Sequence, residues 1–258
     1  YALFLSKVQV DGMAQSMPYA ARADIEHLVN AWVMGGILSI STVTTALGAL
    51  GVMVDDHTKG IIKDFRTAPI SRGQLMGSYI LSGFLASAVI NLLLFAAAEV
   101  YIVCTGGQLL APLAMLQVVG LIALCCASFT AISATFVTIA KTPGAFGGLS
   151  TIMGTLMGFL SGTYMPVGVF PAGVQTVVKA MPFTYAASLF RQVFTKVPME
   201  LVFKGAPAAI RTEYAEYLGI SIHTFGHDIQ PPMMLAIIAL TGVLFFVLAV
   251  WRMSKQAK

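Results

Sequence analysis

The sequence predicts an all-α membrane protein that crosses the bilayer several times. Three observations predict it. Hydrophobic residues make up 57% of the chain and charged residues 10%, where a soluble domain carries about 25% charge. Mean hydropathy is +0.84. The apolar residues fall in long runs parted by short polar breaks, and most runs reach the about 20 residues that a spanning helix needs. The one internal block of concentrated charge is short, residues 55–74, DDHTKGIIKDFRTAPISRGQ.

Taken in order, residues 1–5 are apolar but too short to span. Residues 7–30 are polar and mixed, with a short helix expected near 22–28. The first complete span is expected over 27–54. It is rich in small and hydroxyl residues, which let helices approach closely and bond across one another. Its stripe of Ser39, Thr42, Ala46 and Ala49 suits a partner helix or a wet cavity, or hydroxyls turned back onto their own backbone. Residues 57–68 then read as an amphipathic surface helix. Lys59, Lys63 and Arg66 stand at i, i+4 and i+7 and share a face, with Ile61, Ile62 and Phe65 on the neighbouring one. Pro69 stops it. Such a helix either anchors in lipid headgroups or docks a partner.

Ser71 with Gln74 forms a capping-box pattern that opens the next span, 73–104. Glu99 lies about 38 Å along that helix, at headgroup level, and is expected to be solvated. A further span is expected over 109–140, then a tight turn at 141–144, then a span over 145–165. Gly154, Gly158 and Gly162 in that last span give two overlapping GxxxG spacings, a sign of close helix contact. Prolines at 166, 171, 182 and 198 divide the next stretch into short pieces, so 166–194 is read as a re-entrant hairpin of two short helices. Residues 195–232 form a polar, charged segment with no assigned role, and 233–252 is the final span. Trp251 marks its interface, and Arg252, Lys255 and Lys258 give a basic tail.

Charge sets the expected orientation. The loop with Lys59, Lys63, Arg66 and Arg72, the turn with Lys141, and the basic tail all belong on the cytoplasmic side, an even number of spans apart. The segment 195–232 is then extracellular, and residues 1–5 read as the tail of a preceding span, six in all. The net charge of +4 is spread beside spans, which points away from nucleic acid as a partner. Cys104, Cys125 and Cys126 sit in apolar runs and form no disulfide framework. There is no HExxH, GxSxG or CxxC, and no Gly-Lys dipeptide, so the sequence contains no Walker A loop. His223 and His227 have helical ligand spacing, but HTFGHD is loop-like, and no metal site is assigned. No catalytic site is assigned either.

The segment KGIIKDFRTAPISRGQLMGSYIL resembles the cytoplasmic loop of the permeases of type-2 ATP-binding cassette (ABC-2) exporters. FLSGTYMPVGVFPAGVQTVVKAMPFTYAASLFRQV resembles that family's segment at the end of the fifth span. The basic tail after a sixth span completes the order. The resemblance implies a six-span permease in the plasma (inner) membrane. It further implies that 57–68 is a coupling helix docking on a separate ABC ATPase subunit, which binds ATP and Mg. Lys59, Ile61, Ile62, Lys63, Phe65 and Arg66 would make that contact. A second permease, identical or homologous, would complete a cavity lined by the spans 27–54 and 145–165, with Met34, Leu38, Thr42, Thr45, Met153, Met157 and Phe159 as candidate lining. The expected cargo is amphipathic or hydrophobic: drugs, peptides or lipids. A lipid-linked glycan exporter is the variant within the family, although Trp32 is the only tryptophan in the cavity spans. An ion-coupled secondary transporter would need ionisable residues at mid-membrane and two related halves with broken helices, and neither is seen. A non-ABC membrane sensor whose outer segment binds a ligand, or such a secondary transporter, is the alternative outside the family.

Overall fold

One helix, α2 (Arg22–Ala49), touches most of the others, and its sequence explains why. Apolar residues run almost all the way round it, so it is buried on every side along much of its length. The computed structural model describes residues 5–17, 19–61, 71–138, 140, 142–224 and 227–255. Before α2 lies α1 (Leu5–Ser16), where the sequence led us to expect an irregular polar stretch. Val10 and Met17 are the reason: both are buried against the first turns of α2. The short helix expected at 22–28 is continuous with the span, so α2 begins five residues earlier than 27. Arg22 at its start donates to Asp11 at 2.6 Å and closes the α1–α2 turn.

Below α2, Leu50 interrupts the helix for one residue before α3 (Gly51–Thr58) carries it on. Next come α4 (Arg72–Cys104) and α5 (Pro112–Val137). Ser71 caps α4 by the expected reciprocal pair: Gln74 N–H donates to Ser71 Oγ at 3.2 Å, and Ser71 N–H to Gln74 Oε1 at 2.9 Å. After α6 (Pro143–Leu160) the chain turns through a 3₁₀ element, Val167–Val169, into α7 (Ala172–Lys179) and α8 (Pro182–Phe194). The polar stretch beyond α8 is ordered as α9 (Lys196–Val202), α10 (Ala208–Tyr217) and a two-residue antiparallel pair, β1 (His223–Thr224) with β2 (His227–Asp228). The final helix is α11 (Pro231–Lys255).

Four helical stretches are long and apolar enough to cross a membrane: Arg22–Thr58, Gly73–Cys104, Pro112–Val137 and Pro231–Arg252. At 18 residues, α6 ends at Leu160, so the last residues of the predicted span 145–165 leave the helix. The helices α4 and α11 expose Leu85, Leu93, Leu240 and Val247, the apolar exposure of a face turned to lipid. Three apolar clusters stack along α2 and its continuation α3. The upper one joins α1, α9 and α10 to Leu28 and Trp32. The middle one joins α4, α5, α8 and α11 to Leu38 and Val43. The lower one joins α3 to Met76, Ala134 and Ala249. "Upper" here means the end carrying the α4–α5 connection.

Glu99 departs from expectation. It is 6% exposed, not solvated. The α4–α5 connection folds back over it, and Leu110 N–H donates to its Oε2 at 3.1 Å. The three cysteines are free thiols.

The packing of α2 on α8 is unusually close at Gly35. A Cβ there would stand 3.1 Å from Arg191 Cα and 3.2 Å from the Phe190 carbonyl carbon, both backbone atoms that cannot swing aside. Gly35→Val is expected to separate the two helices and destabilise the fold by about 1–3 kcal/mol. Gly48→Ala, whose new Cβ meets nothing within 4 Å, should leave thermal unfolding in detergent unchanged or slightly raised.

Candidate functional site

The architecture converges on a buried cation. Arg191, in the FRQ of the last turn of α8, is 1% exposed. Its guanidinium lies 4.7 Å over the Trp32 ring of α2. Nη2 donates to Gly162 O at 2.9 Å and to Thr163 Oγ1 at 3.5 Å, and Nη1 donates to Leu218 O at 3.5 Å. Leu218 O also accepts from Trp32 Nε1 at 2.7 Å. Burial pulls the guanidinium pKa down to about 9, which leaves it charged at neutral pH.

Both carbonyls belong to helix ends of the same kind. After α6, Gly162 N–H donates to Phe159 O and Thr163 N–H to Gly158 O. After α10, Gly219 N–H donates to Glu216 O and Ile220 N–H to Ala215 O. These are paired Schellman turns, and each needs a residue with positive φ: Gly162 and Gly219 are both at +67°. A Cβ on either would press on Val167 Cγ2 at 2.7 and 2.8 Å. Two helix C-termini, each partly negative, therefore point at one guanidinium. Sequence reading singled out the run ending in Arg191 as a motif but not as a buried cation. The signal that was available is the pair of apolar-Gly stops, LSGT and YLGI, flanking a lone arginine in an apolar helix.

The predicted cavity residues divide between two neighbours of α2. Leu38 and Met157 are buried in the middle cluster, with Met34 and Met153 packed against it, so four of the seven belong to that cluster. Thr42 is buried and donates to Ser39 O at 2.6 Å. Thr45 donates to Ser41 O at 2.6 Å, lies 2.7 Å from Ser87 Oγ, and accepts from Asn91 Nδ2 at 2.9 Å, so it faces α4. Phe159 is 40% exposed and edges onto Tyr164 with centroids 5.2 Å apart. Of the three glycines, Gly154 looks toward Thr44 of α2. Gly158 leaves room for the Tyr164 ring, which a Cβ would meet at 2.1 Å, and Gly162 is the turn residue above.

At the lower end, α3 is capped through Lys59, whose N–H donates to Asp55 O, and Gly60 turns the chain out at φ +80°. Ile61 is exposed. Ile62, Lys63, Phe65 and Arg66 lie outside the described residues. Both borders of that segment are tied together: Tyr79 O–H on α4 donates to Asp56 Oδ2 on α3 at 2.6 Å. No group of three or more His, Cys, Asp or Glu residues able to hold a metal occurs among the described residues. His223 Nδ1 stands 3.8 Å from Asp228 Oδ1 across the β pair.

Removing the cation should cost more than its size suggests. Arg191→Met leaves Gly162 O without that donor, while Leu218 O keeps Trp32, and a loss of about 3 kcal/mol is expected. Arg191→Lys keeps the charge but not the flat fork, and should fall between parent and Met variant. Thermal unfolding of both in detergent checks this. A Met variant as stable as the parent would remove the guanidinium from this role.

The comparison with curated proteins finds no match. A family profile described as ABC-2 type transporter matches residues 2–195, three-quarters of the chain, from α1 through α8. The multi-pass helical fold agrees with that match. The chain belongs to the ABC-2 type transporter family, as an ABC-type permease subunit.

Proposed function

We propose that this chain is the permease of an exporter that moves amphipathic or hydrophobic compounds (drugs, peptides or lipids) out across the plasma membrane. The observation that carries the reading is the basic segment between α3 and α4. It leaves the membrane helices at Gly60, returns at the Ser71 cap, and has its two borders clamped by the Tyr79–Asp56 bond. A partner docked on that segment pushes through these borders into α3 and α4, and through α3 into α2. The family implies an ABC ATPase as that partner. ATP and Mg are bound there, and this chain supplies the docking side chains Lys59, Ile61, Ile62, Lys63, Phe65 and Arg66.

The cargo path in this reading lies between two permeases, along α2 and α6. Met34, Met153 and Met157 give that seam adaptable thioethers suited to varied apolar ligands. Exposed Ile152 and Leu156 on the outer side of α6 offer a face for a second permease. The basic tail and the coupling segment are cytoplasmic, so closure of the ATPases squeezes the seam outward.

The test is purification of the chain from its native membrane in mild detergent, with co-purifying proteins identified and ATP hydrolysis measured. An ATPase should co-purify, and Phe65→Ala with Arg66→Glu should reduce its recovery by about tenfold or more, as loss of at least about 1.4 kcal/mol of docking energy requires. A preparation with no nucleotide-hydrolysing partner, or one whose partner is retained by the double variant, sinks the docking assignment. The first result also favours a sensor over a transporter.

A further inference from the structure

Away from the α2–α6 seam, a cavity of about 760 Å³ opens at the upper end of the molecule. Five element ends meet around it: the start of α2, the α4–α5 connection, the last turn of α8, the start of α9 and the start of α11. Its volume falls within the range of sites that hold a small organic ligand. Its walls are mostly apolar, with Gln117 the polar residue of the α5 wall and His27, Gln108, Gln192 and Lys196 the other polar lining residues. Along α5 the lining residues Leu113, Gln117, Gly120 and Leu121 repeat at helical spacing, so they form one face. From Leu113 to Leu121 that wall extends about 12 Å down the helix. Leu235 of α11 lines the opposite side. The wall residue Leu113 is itself 69% exposed, on a helix that faces lipid, so the cavity opens sideways into the bilayer.

The upper rim carries Lys196 and His27. Neither side chain has a hydrogen-bond or ion-pair partner among the described residues, and no carboxylate lines the cavity. Glu99 lies behind the lining residue Leu110, whose N–H donates to its Oε2 while its Oε1 has no hydrogen-bond partner among the described residues, and Glu200 on α9 pairs with Arg211 at 3.9 Å. Gln117 adds an exposed amide to the wall on a membrane-spanning helix, where an unpaired polar group is costly unless a ligand or water meets it. An apolar trough open to lipid, with a lysine at its mouth and no carboxylate in its lining, matches an amphiphile with an anionic head; Asp24 acts on His27 from outside the lining, so Lys196 is the cation that carries the match.

We propose that this cavity is a lateral binding site for an anionic phospholipid of the surrounding bilayer, one acyl chain lying between α5 and α11 and the headgroup phosphate meeting Lys196 and His27. The site is separate from the α2–α6 seam, and its occupancy does not depend on the identity of the exported cargo. A bound chain fills the gap between α11 and the α8–α9 corner, so lipid composition would set how firmly that corner is held.

The experiment uses the full chain, purified with whatever partner accompanies it. After delipidation it is titrated with dioleoylphosphatidylglycerol or dioleoylphosphatidylcholine, and bound lipid is counted by native mass spectrometry. One phosphatidylglycerol per chain should be retained at concentrations where phosphatidylcholine is not. Lys196→Glu, at an exposed position, should weaken that retention by about tenfold or more. Gly120→Leu fills the trough, and because a Cβ at Gly120 meets nothing within 4 Å the variant should fold. It should abolish retention, with thermal unfolding in detergent confirming both variants intact. Equal retention of the two lipids, or retention unaffected by either substitution in a folded protein, overturns the proposal. So does binding of inorganic phosphate alone with no gain from an acyl chain.

Discussion

The fold depends on where the Arg191 guanidinium can go. A buried charge without a carboxylate costs several kcal/mol unless dipoles replace its water. Here two helix C-termini do so, each turned by a glycine at positive φ, while the face of Trp32 covers the guanidinium plane. Three chain segments that are far apart in sequence are fixed by one side chain: the end of α6, the end of α10 and the upper half of α2. The cost explains the neighbourhood. Gly36 has no side chain because a Cβ there would sit 2.5 Å from Thr163 Oγ1, on the path of the guanidinium. The Ser161 and Thr163 hydroxyls, 2.9 Å apart, complete the polar lining.

With the upper end locked, α2 becomes the common axis of the molecule. It passes through the upper and middle apolar clusters, and its continuation α3 enters the lower one, so a displacement at α3 reaches the Arg191 corner through α2 or through α6, which also packs on α3. The one break in its backbone is at Leu50, between Gly48 and Gly51, below the middle cluster. Above that break α2 is a continuous 28-residue helix, stiff over its whole length. The hinge, if the lower end is pushed, is therefore next to the push and not next to the seam.

Much of this was legible in the sequence, and the reasons for the exceptions are physical. Long apolar runs, the Ser71–Gln74 cap and the proline-broken hairpin are local signals, and the helices around them form accordingly. Glu99 was misjudged because distance along a helix says nothing of a connection folding back over it. The stretch 195–232 looked like an open polar segment by its charges. Its period-two apolar residues, Leu218, Ile220 and Ile222, are what pack it down, and Leu218 O is the acceptor that Trp32 requires. The buried role of Arg191 needed three distant segments at once, which no window of sequence contains.

The hydroxyls of α2 sharpen the question of what moves. In the stripe of Ser39, Thr42, Ala46 and Ala49, Thr42 bonds back to Ser39 O, and Thr45, a candidate for cavity lining, bonds to other helices. Thr45, Ser87, Asn91 and Cys126 form a polar clasp among α2, α4 and α5: Asn91 Nδ2 donates to Thr45 Oγ1 at 2.9 Å and to Ser87 O at 2.8 Å, and Ser87 Oγ donates to Cys126 Sγ at 3.3 Å. In lipid, where apolar side chains gain little by choosing each other over acyl chains, such bonds hold helices together. No comparable side-chain bond joins α2 to α6 among the described residues. The substantial packing of α6 is against α2, α3 and α8 alone, through methionine, leucine and glycine. The bundle of α2, α4 and α5 is thus polar-clasped, while α6 is held along its length by apolar contact and bonded by side chains of α8 at its upper end, where Thr184 donates to Leu160 O and Arg191 to Gly162 O. A seam that opens between α2 and α6 therefore breaks dispersion contacts and, among the described residues, no side-chain hydrogen bond between the two helices.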